Sequence, residues 1–400
     1  MAGLVTGDSI VNPDKKLSDA GVNVVIDHVT DVDRGARKVS TESGNEYTYD
    51  KLIMSTGSSP VLPPIPGKEL EGVFTLRSLR HAEAIQEFMA RQNPRELTLI
   101  GAGFISLEIA VLLKQANPDH EITIVELLKH PLSAMLDEEM CNRVEEYLKG
   151  RGLKLKMEEK VVEIRGNGRV SAVKLESGET IKSDMVFMNV GTAPNLGLAK
   201  NMGLEIGPYG IKVNQFLETS DPDILAAGDC ADNKHFVTGR STPGALRGPA
   251  VLMGRLAAKR LAGYEIPFPG ILNASACNLI DMNVAATGLT EDQAHNEGIE
   301  TVSAAVDSRS KHGMIPGTSP WTLKLVFDAS KRTIIGGQIL STDIAPVKEI
   351  DTVSALILGK KTVEELTVFA AAGNPDISSE PSMEPITIVA EQCLQKLGRP

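Results

Sequence analysis

The segment LTLIGAGFISLEIA, residues 97–110, sets Gly101, Gly103 and Ser106 in a G-x-G-x-x-S spacing. An apolar strand run precedes Gly101, and a helical run follows Gly103. Glycine at the first position permits a tight turn. Glycine at the second lets a pyrophosphate approach the backbone, where the helix N-terminus offers free N–H groups and the positive end of its dipole. Ser106 stands where the general pattern has Gly or Ala, and it is small enough for close helix–strand packing. Glu126 ends the next apolar run, about 25 residues beyond Gly101 and near the ~20 of the general pattern. A carboxylate there accepts both ribose hydroxyls and repels a 2′-phosphate, which favours NADH over NADPH. A lone glycine triplet is also compatible with a plain turn. The strand, the helix and Glu126 in register favour a dinucleotide.

Three further stretches end strands in small residues. STGSSP (55–60) carries Thr56 and Gly57, VGTAPN (190–195) carries Gly191, and TSDPDILAAGD (219–229) ends in Gly228 and Asp229. Bare backbone at such strand ends lets a dinucleotide come close, and Asp229 can hydrogen-bond a sugar or ribityl hydroxyl. Each stretch also reads as an ordinary glycine turn, and Asp229 as a turn cap.

These residues need a scaffold, and the chain supplies a strand, glycine turn, helix, strand rhythm that predicts an α/β fold with parallel sheet. Residues 22–32 alternate like a strand. Residues 38–49 read as a hairpin turning near Ser43, Gly44 and Asn45, and 51–55 as a short strand. The proline-rich crossing 60–66 reads as a domain junction. Helices are expected at 79–91, from the glycine turn to about 115, and at 137–150. Strands are expected at 97–100, 121–126, 153–157, 161–165, 170–175, 185–190 and 224–227, with a helix at 250–261. A second junction lies at 267–270. Beyond it, 277–287, 301–307, 321–328 and 334–339 alternate like antiparallel strands. Helices at 344–358, 363–369 and 386–397 complete a separate α+β block.

Composition excludes several functions. The 400 residues carry a net charge of -11 and no long like-charge run, so no basic patch is available for nucleic acid. No run approaches the ~18 apolar residues of a membrane span, and the opening MAGLVTGDSI lacks the pattern of a signal peptide. The expected location is the cytoplasm. Cys141, Cys230, Cys277 and Cys393 have no metal-ligand or C-x-x-C spacing and read as reduced, buried thiols.

Taken in order, YDKLIMSTGSSPVLPPIPG, LIGAGFISLE, TSDPDILAAGDCAD, GPAVLMGRLAAKRLAG, ATGLTEDQAHNEGIE and HGMIPGTSPWTLKLVFD resemble the pyridine nucleotide–disulfide oxidoreductases. Within them, the chain is most similar to the coenzyme A-disulfide reductase, NADH oxidase and persulfide reductase branch. The resemblance implies two Rossmann-like dinucleotide-binding domains plus a C-terminal α+β dimerisation domain. Residues 1–80 and 206–268 would form the FAD domain, 81–205 the NAD(P)H domain and 269–400 the dimerisation domain. It implies NADH at Gly101, Gly103, Ser106, Glu126 and Gly191, and FAD at Thr56, Gly57, Gly228, Asp229 and Arg255. Glu108 would lie where nicotinamide and flavin meet; a first-turn helix carboxylate favoured by the dipole is the plainer reading. The implied reaction passes hydride from NADH to flavin and on to a small-molecule disulfide, persulfide or oxygen, in a homodimer.

The chain departs from the family pattern in three ways. No strand and glycine-rich turn for the FAD pyrophosphate precedes Ser55, and the opening segment resembles the loop just after the family's redox cysteine. The FAD domain is therefore expected to lack its first βαβ unit and that cysteine, which Cys141 cannot replace and Cys230 does not match in position. The stretch AAAGNPDISSEPSMEP also lacks the tyrosine often found in coenzyme A-disulfide reductases. The alternative reading is a flavin-free remnant that binds NADH and dimerises without turnover. Its open sheet should expose apolar surface near Leu52, Ile53 and Met54.

Overall fold

The computed structural model describes residues 7–11 and 15–398. The reading of the opening segment falls largely on residues 1–6, outside the described residues. The elements that frame the site are β1 (Leu52–Met54), β2 (Val73–Phe74), α1 (Leu79–Gln92), β3 (Glu96–Ile100), α2 (Phe104–Ala116), β4 (Glu121–Val125), α3 (Glu138–Gly150), β5 (Lys154–Lys156), β6 (Met185–Met188), β7 (Ile224–Ala226) and α4 (Arg247–Leu261). They are followed by β8 (Ser275–Asn278), β9 (Asn283–Gly288), β10 (Thr301–Arg309), β11 (Pro320–Asp328), β12 (Ile334–Ser341), α5 (Glu349–Leu358) and α6 (Pro385–Leu397).

A five-stranded parallel sheet has the order β2-β6-β3-β4-β5. Its inner strands are apolar on both faces, as a sheet covered on both sides requires, and every residue of β6 is buried. Strand order reverses about β3, so the crevice beyond its carboxyl end is where such a sheet binds ligands. A second, antiparallel five-stranded sheet runs β8-β9-β12-β11-β10. Helices α5 and α6 cover it through Ile350, Val353, Ile357, Ile386, Val389 and Ala390. Elsewhere, β1 and β7 pair in parallel as a two-stranded sheet, with Leu52 opposite Ile224 and Met54 opposite Ala226.

The expected strand over 22–32 is a correction. Only Val29–Asp33 is strand, and residues 22–28 are irregular, with Val24, Val25 and Ile26 exposed. Alternation is not enough where no neighbouring strand takes up the backbone hydrogen bonds. The single strand expected over 277–287 is likewise two, β8 and β9. Ile280, at φ 77°, turns the chain between them. The hairpin at 38–49 forms as expected, with Gly44 at φ 84° in its turn. Along β1, Leu52 is half-buried, Ile53 is exposed and Met54 is buried, so the expected open apolar surface is found at one residue of the three.

Helix α3 welds the antiparallel sheet to the parallel one. Lys324, on β11, has a side chain 2% exposed, and its Nζ meets Asp137 Oδ2 at 2.9 Å, Glu291 Oε1 at 2.6 Å and the Glu139 carboxylate. Asp137 also accepts from Gln338 Nε2 at 2.6 Å and from the Glu291 backbone N–H at 2.9 Å. Burial pushes the Lys324 ammonium down. Hydrogen bonds to Glu139, Glu291 and Asp137 outweigh it and hold the group above the usual lysine range, so it stays charged. Burial pushes Glu291 up, but hydrogen bonds from Lys324 and Ser303 outweigh that and hold it below the usual carboxylate range.

Replacing Lys324 with Met strands three carboxylates around a buried site, and chemical denaturation should show a loss of about 3–5 kcal/mol. Because the Glu291 carboxyl is depressed in the folded protein, its contribution is complete above its unfolded pKa of about 4.3. It is lost as pH falls through the lower folded value. An unchanged denaturation midpoint in Lys324→Met would show that the network carries no net stability.

Candidate functional site

The G-x-G-x-x-S turn lies at the carboxyl end of β3. Gly101 has φ 96°, and a Cβ there would stand 2.5 Å from the Asn189 carbonyl oxygen, so both backbone conformation and space demand glycine. Gly103 caps α2 in extended conformation with no side-chain cap, and its Cβ position faces open space. The first-turn N–H groups of α2 are thus left for a ligand. Ser106 is fully buried in the first turn of α2, does not line the cavity, and its hydroxyl has no partner among the described residues.

Glu126, one residue beyond β4, is held by the turn itself. Its Oε2 accepts from the Ala102 N–H at 2.6 Å and its Oε1 from the Leu128 N–H at 3.0 Å. Each oxygen keeps acceptor capacity for a ribose hydroxyl. Gly191, at φ 106°, closes the opposite wall with open space at its Cβ position. Together, Gly101, Gly103, Glu126 and Gly191 line one cavity of about 640 Å³, with Ile65, Val161 and Glu159 among its other walls. Asn189 also lines it, and its buried side-chain N–H₂ has no partner among the described residues. These residues fit a dinucleotide.

The flavin-side segments meet each other. Residues Ser58–Pro60 pair with Thr192–Pro194. Thr56 Oγ1 donates to Asn195 O at 2.8 Å, and Asn195 Nδ2 donates to Thr56 O at 2.9 Å. The Thr56 hydroxyl therefore fastens these two turns together. Gly57 (φ 67°) and Gly228 (φ 81°) turn bare backbone outward; a Cβ at Gly57 meets nothing within 4 Å, and one at Gly228 meets only Ala250 at 3.6 Å. On α4, Val251, Leu252, Gly254 and Arg255 are exposed. Bare backbone at two strand ends beside an exposed apolar and cationic helix face fits the body of a flavin nucleotide.

Asp229 shows a residue that sequence reasoning missed. Its Oδ2 accepts from Arg77 Nη2 at 2.7 Å and from Ser58 Oγ at 2.8 Å. Arg77, 152 residues away in sequence, has no local motif that announces it. It also lines a second cavity, of about 490 Å³, together with Leu76, Ile105 and Glu108. Arg77 thus holds Asp229 and shares a cavity with Glu108. Glu108 is half-buried, and its Oε1 accepts the Asn278 N–H at 3.1 Å. Burial pushes its carboxyl up; the Asn278 hydrogen bond only partly offsets this.

All four cysteines are buried. Burial, reinforced by carboxylates including Asp137 for Cys141 and Glu108 for Cys277, pushes those two thiols to about 12. Burial likewise pushes Cys393 to about 12. Cys230 Sγ is turned to the carbonyls of Met54 and Ala227. None is exposed, as a thiol relay requires.

The sequence model of the family described as pyridine nucleotide-disulphide oxidoreductase matches residues 7–248, and that of the family's dimerisation domain matches residues 274–382. The chain is 33% identical over 374 residues to an NADH oxidase of Methanocaldococcus jannaschii, spanning 92% of this chain and 82% of that protein. It is 31% identical over 393 residues to an NAD(P)H coenzyme A polysulfide/persulfide reductase of Pyrococcus horikoshii, spanning 97% and 86%. Among solved structures, an NAD-dependent persulfide reductase from A. fulgidus superposes with a TM-score of 0.92 at 29% identity, covering 99% of this chain and 74% of that one. A water-forming NADH oxidase from Lactobacillus brevis bound to NADH superposes with a TM-score of 0.91 at 25% identity, covering 99% and 88%.

Glu126→Ala should raise the Kd for NADH relative to that for NADPH by about tenfold, the scale of one charge-assisted hydrogen bond lost and one charge repulsion relieved. Titration of the two nucleotides side by side measures this. An unchanged ratio would remove Glu126 from nucleotide selection.

Proposed function

The chain belongs to the pyridine nucleotide–disulphide oxidoreductase family, and on that premise we propose that it is an FAD-dependent enzyme oxidising NADH, with the dinucleotide in the cavity of Gly101, Gly103, Glu126 and Gly191, and with Ser106 buried in the first turn of α2 rather than lining that cavity. The observation that carries this reading is the Glu126 carboxylate held by the Ala102 N–H inside the glycine turn, which preforms the ribose seat. Bound FAD supplies the two-electron chemistry that links NADH to an acceptor.

The residues of this chain bind and orient. Gly103 opens the first turn of α2 to the pyrophosphate, while Glu126 takes the ribose hydroxyls and disfavours a 2′-phosphate. The two residues that follow Glu126, Leu127 and Leu128, carry no charge, and the Lys129 ammonium is tied to Glu138 at 2.5 Å. Gly57 and Gly228 let the flavin nucleotide lie against backbone, Arg255 flanks it, and Arg77 steadies Asp229. Glu108, raised by burial and held by Asn278, keeps a proton to higher pH than an exposed glutamate and stands beside the cavity where the two ring systems would meet.

The acceptor is a small disulfide, a persulfide or dioxygen. None of the four thiols of these 400 residues is a relay, so Cys141, Cys230, Cys277 and Cys393 take no part in the electron exit. The domain reading follows the same frame: FAD at 1–80 and 206–268, NADH at 81–205 and dimerisation through 269–400. The dimerisation-domain match supports a homodimer. No described helix is long and apolar enough to cross a membrane, and with four free thiols we place the protein in the cytoplasm.

The test is NADH oxidation by the FAD-supplemented protein with dioxygen, a coenzyme A-type disulfide or a persulfide offered separately, before and after treatment with a thiol-alkylating reagent. Turnover with at least one acceptor, unchanged by alkylation under native conditions, is the expected result. No turnover with any of the three would contradict the assignment, and loss of activity on alkylation would contradict the reading of the thiols.

A further inference from the structure

The dinucleotide cavity holds a second carboxylate that the motif does not account for. Glu159 lines it, is half-buried, and has no side-chain hydrogen bond or ion pair among the described residues. Its neighbour Lys160 is turned to Glu176 at 3.4 Å and does not neutralise it. Sheet order explains its place. Strand β5 lies outside β4, so the chain leaving β5 passes over the side of the crevice beyond Glu126. Two backbone bonds fix that passage: the Glu159 N–H to Glu126 O at 2.9 Å, and the Glu158 N–H to Leu128 O at 3.1 Å. The pyrophosphate seat is at Gly103 and the ribose seat at Glu126. The next space outward is walled by Ile65, Leu127, Leu128 and Val161, with the Glu159 carboxylate as the unpaired acid.

An apolar slot with one free acceptor suits a flat aromatic ring that carries a hydrogen-bond donor on its edge. The base that follows the ribose in NADH is adenine, whose exocyclic 6-amino group is such a donor. We propose that Glu159 reads the base of the dinucleotide by accepting the hydrogen bond of the adenine 6-amino group. This rests on the dinucleotide reading of the cavity given above and adds a specificity-determining residue to it. A base with a 6-oxo group in the same position would face the carboxylate acceptor to acceptor, and would be rejected.

The probe pair is NAD⁺ and its hypoxanthine analogue, nicotinamide hypoxanthine dinucleotide, which differ at that position of the base. Both are used oxidised, so that no turnover occurs. Isothermal titration of the FAD-supplemented protein should show NAD⁺ bound about tenfold tighter, the scale of one charge-assisted hydrogen bond. Glu159→Gln, whose amide both donates and accepts, should bring the two Kd values to near equality. Glu159→Ala should also lose the preference, by weakening NAD⁺. Equal affinities in the unsubstituted protein, or a preference that survives both substitutions, would overturn the role of Glu159 while leaving the dinucleotide site intact. Absence of binding by either compound would instead overturn the dinucleotide reading on which the proposal stands.

Discussion

Burying the Lys324 ammonium among Asp137, Glu139 and Glu291 is tolerable only while all its partners are in place. Those partners come from two places: Asp137 and Glu139 from the start of α3, and Glu291 from the start of the short helix Glu291–Asn296 that follows β9. The antiparallel sheet can therefore dock on α3 in one way. That docking sets β8 against α2, where Asn278 reaches Glu108. It also buries Cys277 and Leu279 in the same apolar cluster as Leu107, Val144 and Leu148. The charge network thus acts at a distance on the site, since it fixes the surroundings in which the Glu108 carboxyl is raised.

The proposed dinucleotide seat depends on a different constraint, that of space. Gly101 allows the Asn189 backbone to approach, and β6 thereby closes against β3. Glu126 then fastens β4 to the turn through the Ala102 N–H. A carboxylate already held by two backbone donors loses little side-chain freedom when a ribose arrives, and this preorganisation favours binding. The flavin side is held by other means, through paired turns at 55–60 and 190–195 and the Arg77 bridge to Asp229.

Local spacing made the proposed dinucleotide half's turn and its glutamate legible. Gly101, Gly103 and Glu126 sit at fixed distances along one βαβ unit, and each has a conformational or chemical reason for its type. Most helices and strands of that half follow from apolar periodicity for the same reason. What stayed hidden depends on partners far away in sequence. Asn278 meets Glu108 across 170 residues, and Arg77 meets Asp229 across 152. Glu159 carries no motif, and only the order of the sheet places it at the cavity. The two strand errors have the same origin. Residues 22–28 alternate correctly but meet no neighbouring strand, and the apolar run at 277–287 conceals a turn at Ile280 that periodicity does not register.

The central claim is that NADH and flavin meet in this chain and exchange electrons. The most direct test is the visible absorption spectrum of the purified, FAD-supplemented protein under anaerobic conditions, before and after addition of NADH. The account predicts a bound-flavin band that bleaches on NADH addition and returns when air is admitted. A protein that holds no flavin after FAD is supplied, or one whose flavin band NADH leaves unchanged, would contradict it.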